Sequence, residues 1–334
     1  MRKGVAGLDH FAVDLIKEAE FDGIRRLCPN REIGALFSWN RAQISRVSLQ
    51  HGGKSALKPT AIRLKTSKEL LLASNICHVK IAVTVKQVPD SWAEKKFIDG
   101  RVDRESVDAV LNDLDEYAIE EALRICEANG GTIDDGGPNT ITLISMGPTR
   151  AQEAVRKGLS MGATNAIVIT DPALAGADAM ATSEVLSKVI ADGGYDFVIS
   201  GVESTDARMS VIPAMISARL GHAQLTFANK VEVDVAAKKI SINRITDAGQ
   251  VEMEANFPAV ISVVEKINEP RYPAFKGIMA AKKKEISTIS LTAPSGTQVI
   301  DATAKPARTA GIKIEDDGNA AQQLVNFLAE RKLI

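Results

Sequence analysis

From Val79 onward, apolar runs of strand length alternate with stretches whose apolar residues recur at helical spacing. Lys80 to Val85 (KIAVTV) is short, apolar and rich in β-branched residues, the composition of a strand buried on both faces. Asp115 to Ala128 puts Tyr117, Ala118, Ala122, Ile125 and Cys126 on one face, which predicts a helix. Asp115 and Glu116 fall at its start, where the helix dipole favours anions. The alternation continues with a strand at Thr140 to Met146, a helix at Thr149 to Leu159 behind Pro148, and a strand at Ala166 to Thr170. A helix at Ala181 to Ile190, a strand at Asp196 to Ser200 and a helix at Met209 to Leu220 follow. Such a pattern predicts an α/β fold with a parallel sheet and helices on both faces.

After Leu220 the period shortens. Lys230 to Val235, Lys239 to Arg244 and Gln250 to Asn256 alternate polar and apolar, with a turn signal at Asp247 to Gly249, so a small antiparallel addition is expected. Phe257 to Val264 returns to a buried strand. Pro270 and Pro273 fix φ and remove two amide donors, which makes Glu269 to Ala274 a stiff loop. It leads to an apolar tip at Phe275 and a short helical run ending in Lys282, Lys283 and Lys284. One aromatic beside a cationic patch on a stiff loop suits capture of a protein partner, although a solvated Lys run has the same composition. The tail reads as an extended Arg308 to Ile314 and an amphipathic helix at Asn319 to Leu328.

Residues 1–78 differ in texture. Phe11 to Leu27 predicts one amphipathic helix, and no apolar face persists from Pro29 to Ser67. This segment carries 13 Lys and Arg against 7 Asp and Glu, while the whole chain carries 41 against 42, so the remainder is acidic. No apolar core follows the positive start, as a secretory signal would need, and its acidic residues argue against a transit peptide. Two readings stand: a genuine accessory arm, or upstream sequence translated ahead of a true start at Val79. The second is the expectation, making 1–78 a non-native or disordered extension before a body at 79–290 and a C-terminal arm at 291–334.

At 334 residues, with 45% hydrophobic and 25% charged residues, the composition is that of a soluble globular protein with a sizeable core. Cys28, Cys77 and Cys126 form no CxxC pair and no ligand spacing with the four His, so a reducing compartment such as the bacterial cytoplasm is expected. No apolar run approaches the roughly 20 residues needed to span a bilayer. A nucleic-acid binder would interleave aromatics with its basic residues, and the body is acidic.

The body has no GxSxG, HExxH, Walker A or GxGxxG motif. Of His10, His51, His78 and His222, only the last falls after Val79, where it reads as a loop residue. Ligands of open α/β sheets bind at the carboxyl ends of strands near a switch point. The candidate site is therefore built from Thr84 to Val88, Asn112 to Asp115, Met146 to Pro148, and the loop Gly201 to Ile212 (GVESTDARMSVI). Amides from Thr205 to Ser210 at a helix start would bind phosphate, with Ser204, Thr205, Ser210 and Arg208 adding side chains. A plain N-cap by Ser204, Thr205 or Asp206 fits the same residues.

Several ordered segments together resemble the beta subunit of electron-transfer flavoprotein. They are VKIAVTVKQVPD (79–90), DEYAIEEALR (115–124), SMGPTRAQEAVRKGLSMGA (145–163), the Gly201 loop, NEPRYPAFKGIMAAKKK (268–284) and RTAGIKI (308–314). The resemblance implies a three-layer, parallel-sheet nucleotide-binding fold, adenine nucleotide alpha-hydrolase-like. It further implies an electron carrier rather than an enzyme, paired with an alpha subunit that holds most of the FAD. Such heterodimers take electrons from dehydrogenases, often acyl-CoA dehydrogenases, and pass them to a membrane quinone oxidoreductase.

Many beta subunits carry a structural AMP. By position its contacts fall on Thr84, Asn112, Asp113, Leu114, Asp115 and Met146, and on Gly201, Val202, Glu203, Ser204, Thr205, Asp206, Ala207, Arg208, Met209, Ser210, Val211 and Ile212. Some relatives bind a second FAD there instead, and AMP is the expectation here. The family's partner-recognition loop corresponds to Arg271, Tyr272, Pro273, Ala274, Phe275, Lys276, Gly277, Ile278 and Met279, with Lys282, Lys283 and Lys284. Phe275 stands where other members place an anchoring Leu. Many members carry Asn-Pro-Phe where this chain has Asn112, Asp113 and Leu114, and smaller or amide residues at Arg208, Met209 and Ser210. An alternative is a nucleotide-hydrolysing or adenylating enzyme on a related fold, with Asp113 and Asp115 as its Mg²⁺ carboxylates.

Overall fold

The computed structural model describes residues 78–93, 96–98, 101–303, 306 and 311–334. The helix expected at Phe11 to Leu27, and the extension as a whole apart from His78, lie outside the described residues. The body opens with β1 (Lys80–Thr84) and an excursion of short strands: β2 (Gln87–Pro89), β3 (Phe97–Ile98), β4 (Arg101–Val102) and β5 (Ala109–Leu111). Then come α1 (Asp113–Ala128), β6 (Thr140–Met146), α2 (Gln152–Met161), β7 (Asn165–Ile169), α3 (Ala179–Gly193), β8 (Phe197–Gly201) and α4 (Ile212–Leu220). A hairpin-linked run, β9 (Ala223–Asp234), β10 (Lys239–Thr246) and β11 (Gly249–Asn256), precedes β12 (Ala259–Val263), α5 (Phe275–Lys283), β13 (Ser287–Ile289) and α6 (Ala320–Glu330).

Among the described residues, nine strands form one sheet in the order β11-β10-β9-β12-β8-β1-β6-β7-β13. From β9's pairing with β12 through to β13 every pairing is parallel, whereas β9, β10 and β11 pair antiparallel. The two-residue period of the pleat divides the core into two layers. Ile81 and Val83 pack with Ala118, Ile119, Val155, Leu159 and Ala281, which places α1, α2 and α5 on one face. Ala82, Ile144 and Val198 pack with Val185, Val189 and Ile216, which places α3 and α4 on the other. Each large aliphatic side chain buried this way contributes about 1.5–3 kcal/mol, so the central strands must be apolar throughout. β8 and β12 are buried at every residue, whereas β11 has no buried position.

The fold differs from the sequence expectation in several places. Helix four begins at Ile212 rather than Met209, because Pro213 occupies its first turn, where no amide is needed. Thr149–Ala151 is a 3₁₀ turn ahead of α2. The strand expected at Lys230 starts seven residues earlier, at Ala223, and crosses a register shift opposite Asn243 and Arg244. β2 to β5 and β13, each of two or three residues, are too short for a periodic signal. Of the stretch expected to be extended at Arg308 to Ile314, residues 307–310 lie outside the described residues, and 311–314 form no regular element.

Chain order reverses across the middle of the sheet. β1, β6 and β7 run outward in sequence on one side, and β8 returns to the other flank of β1. The loops leaving β1 and β8 therefore diverge just beyond the paired residues Thr84 and Ser200.

Candidate functional site

A cavity of about 360 Å³ opens at this divergence. Its walls are Thr84, Val85 and Lys86 from the end of β1, Ile144 and Met146 from β6, and Ser200 with much of the loop to Ile212 after β8. Of the residues expected at the site, the structure brings together Thr84, Asp115, Met146, Gly201, Val202, Glu203, Ser204, Ala207, Met209, Ser210, Val211 and Ile212 on its lining. Asn112, Asp113, Leu114, Thr205, Asp206 and Arg208 stand behind or beside it. Asn112 is wholly buried, Asp113 and Arg208 are exposed, and the backbone of Leu114 abuts Gly201.

Asn112 explains why the loop holds its course. Its amide nitrogen donates to Asp115 Oδ1 at 2.9 Å and to the Glu203 carbonyl at 3.0 Å, and its oxygen accepts the Thr205 amide at 3.0 Å. Asp115 Oδ2 accepts the Lys86 amide at 2.7 Å. One buried amide and one buried carboxylate thus link the β1 exit, the start of α1 and the β8 loop, and both ends of the Asn112 side-chain amide are engaged within the protein. Gly201 makes this approach possible. A Cβ there would lie 2.6 Å from Asp115 Oδ1 and 2.8 Å from the Leu114 carbonyl carbon. The glycine serves contact with α1.

The two acids nearby carry opposite shifts. Burial lifts the Asp115 carboxyl from 3.8 to about 7, against the hydrogen bonds from Asn112 and Lys86. Burial also pushes Asp206 up, but Lys86, Ser204 and Arg104 outweigh it and bring that group down to about 2. Asp206 Oδ1 accepts from Lys86 Nζ at 2.7 Å, and its Oδ2 takes Arg104 Nε at 2.9 Å and Nη2 at 2.7 Å. With its side chain 2% exposed, Asp206 is a buried anion neutralised from two directions.

The later start of α4 moves the expected phosphate amides into the preceding loop. Thr205 is spent on Asn112, and Ala207 and Arg208 donate to the Ser204 carbonyl. The Met209, Ser210 and Val211 amides make no hydrogen bond among the described residues, and they lie next to the cavity in the three residues just ahead of α4. Lys86 falls within the expected stretch Thr84 to Val88, whereas sequence reasoning missed Arg104, Ser200 and the wall from Leu174 to Leu186. The carboxyl-end rule applied to the third parallel strand reaches that wall, because α3 follows β7 there. Arg104 gave no local signal, since it lies in the excursion.

The 268–284 segment forms a separate surface. Arg271 is fork-bonded to Glu120 at 2.7 and 2.8 Å and reaches Glu127 at 2.6 Å, which raises its pKa further and ties the loop to α1. Lys284 donates to Asp134 and to the Ala163 carbonyl, each at 2.5 Å. Gly277 lets α5 sit against α2, since a Cβ would come 2.6 Å from the Ser160 carbonyl. Arg156 caps the helix by donating to the carbonyls of Ala281 and Lys284, both at 2.6 Å. On the outer side Tyr272 is 97% and Phe275 79% exposed, with Ile278 and Met279 beside them. Lys276, Lys282 and Lys283 have exposed or half-exposed side chains nearby, and Pro273 and Ala274 carry the turn into α5.

A parallel sheet with a cavity at its switch point is the architecture of nucleotide-binding α/β domains. Residues 99–294 match the electron transfer flavoprotein domain. The chain is 44% identical to the electron transfer flavoprotein subunit beta of Mycobacterium tuberculosis (strain ATCC 25618 / H37Rv) over 268 residues, 76% of this chain and 99% of that protein. It is 32% identical to the subunit of the same name from Megasphaera elsdenii over 280 residues, 77% of this chain and 100% of that protein. Protein FixA of Azotobacter vinelandii is 34% identical over 210 residues, 61% of this chain and 72% of its own. The chain belongs to the electron-transfer flavoprotein family. No helix among the described residues is long and apolar enough to cross a membrane.

Proposed function

We propose that the chain is the beta subunit of a heterodimeric electron-transfer flavoprotein that accepts electrons from dehydrogenases, such as acyl-CoA dehydrogenases, and delivers them to a quinone oxidoreductase. The observation that carries this reading is the cavity between the β1 and β8 loops. Its volume suits a mononucleotide, Ile144, Met146 and Leu174 offer apolar walls for a base, and the amides of Met209 to Val211 suit a phosphate. AMP is the proposed occupant, in preference to a second FAD. FAD, held mainly by an alpha subunit, supplies the electron-transfer chemistry when bound. This chain orients, encloses and docks.

The body 79–290 is the proposed nucleotide-binding domain, and 291–334 the arm that reaches the alpha subunit. Thr297 is latched to Asp178 through its amide at 2.8 Å and its hydroxyl at 3.0 Å. Beyond it the chain exposes Ile300, Ile312, Leu324, Val325, Leu333 and Ile334, apolar surface that a partner subunit would cover. The face carrying Tyr272, Phe275, Ile278 and Met279 is the proposed dehydrogenase dock, while Arg271 and Lys284 hold its frame. The adenylating alternative asks Asp113 and Asp115 to share a metal, yet the first is exposed and the second buried on Lys86 and Asn112.

Co-expression with the alpha subunit tests the reading. A yellow 1:1 complex that releases AMP on denaturation is expected. A complex without flavin, or one without adenine nucleotide, would overturn the corresponding half.

A further inference from the structure

Glu203 lines the cavity, two residues beyond β8. Ser210 Oγ donates to Glu203 Oε2 at 2.9 Å, and Arg208 Nη1 lies 3.5 Å from Oε1. Arg208 and Ser210 have φ of 50° and 54°, a left-handed backbone that non-glycine residues adopt when surrounding contacts impose it. Their side chains converge on the same acid. A hydroxyl, a guanidinium and the open amides of Met209 to Val211 are the groups that recognise an anion. Two of these groups are already spent on an anion that belongs to the chain. Lys86 and Arg104, the cations that do line the cavity, are committed to Asp206 and offer no substitute for Arg208, which stands beside it.

We propose that Glu203 is an internal competitor for the phosphate of a nucleotide, holding the anion-binding groups of the β8 loop until a phosphate displaces its carboxylate. The proposal rests on the nucleotide reading given above and adds a residue that limits how much the phosphate contributes to binding. A nucleoside without phosphate has no use for Ser210 or Arg208 and leaves Glu203 in place. A nucleoside monophosphate must take those groups from Glu203 and tolerate its negative charge nearby.

The test is calorimetric titration of the full-length chain and its E203Q variant with AMP and, separately, with adenosine. Glutamine keeps an acceptor for Ser210 and gives up the charge. AMP should bind E203Q on the order of tenfold more tightly than the unaltered chain, with adenosine changed by less than about twofold. AMP affinity that is equal or weaker in E203Q overturns the proposal, and so does an equal gain for both ligands. If neither protein binds either ligand, the nucleotide reading falls and the proposal with it. Should E203Q fail to fold, E203D provides the same comparison. Its carboxylate is one methylene short of Ser210 and Arg208, so the freed groups should again favour AMP over adenosine.

Discussion

Asn112 and Thr205 are 93 residues apart in the chain, yet the amide of Thr205 donates to Asn112 Oδ1 at 3.0 Å. This bond, with the two that Asn112 donates, fixes the β8 loop against the start of α1. Replacing Asn112 with Leu leaves the Thr205 amide and the Glu203 carbonyl without their partner in a buried setting. The expected cost is about 2–4 kcal/mol of stability. Amide exchange across 203–210 should accelerate more than that of β8 itself, because β8 keeps its ladder on both sides. Exchange that rises equally in both segments would count against a role specific to the loop.

The pH response of stability should carry the signature of Asp115. Its carboxyl is lifted from 3.8 to about 7 on folding, so the folded state favours the neutral form. The stabilising contribution is complete below pH 3.8 and is lost as pH rises through 7. Between these limits it amounts to about 4 kcal/mol. Urea midpoints measured from pH 4.5 to 8 should therefore fall more steeply for the unaltered chain than for D115N, which has no charge to bury. Asp206, brought down to about 2, has the opposite sign: its contribution is present above 3.8 and fades only as pH falls through 2. It does not disturb this window. Parallel pH profiles for the two proteins would show that Asp115 is not the titrating group.

Gly201 offers a steric test of the same junction. An added Cβ meets backbone atoms of Leu114 at 2.8 Å, and backbone at a helix start cannot move as a side-chain tip can. Gly201→Ala should cost about 1–3 kcal/mol, typical of overpacking. It should also lower bound nucleotide in the purified heterodimer, read by chromatography of the denatured sample. An unchanged melting temperature would mean that the loop yields more easily than its contacts imply.

How much of this site could be read from sequence depends on distance along the chain. The strands of the core announced themselves, since Ile81, Val83 and Ile199 sit in β-branched runs with no polar competition. The carboxyl ends of β1, β6 and β8 followed from order alone. Other features required the folded chain. Met209, Val211 and Ile212 extend the apolar pattern of α4, so the helix read three residues too long, although Pro213 already marked its first turn. Asn112 and Asp206 entered the expected nucleotide contacts by their position in the family resemblance, which says nothing of their partners within the chain. Those partners, Thr205, Glu203, Lys86 and Arg104, lie between 91 and 120 residues away and leave no local trace. Arg271 is similar: a basic residue beside an aromatic suggests an outward grip, whereas Glu120 and Glu127 on α1 draw it inward.

Arg271, on the loop, and Phe275, at the start of α5, are four residues apart and should fail in different ways. Phe275 is 79% exposed, so its truncation to Ala removes almost no packing and should leave the melting temperature and flavin content unchanged. If it anchors a dehydrogenase, the second-order rate of electron acceptance should drop at least tenfold, since one apolar side chain in a partner's pocket can dominate a small interface. Arg271→Ala instead leaves Glu120, whose side chain is 7% exposed, as a buried carboxylate without its guanidinium. After allowance for the partial solvent access of Arg271, a loss of about 2–3 kcal/mol is expected. Electron acceptance should fall only as far as the loop is displaced, and Arg271→Lys, which cannot form the fork, should restore little of the stability. Stopped-flow rates set against thermal melts for the two variants separate the roles. A stability loss in Phe275→Ala, or a rate loss in Arg271→Ala without one, would exchange the assignments of anchor and frame.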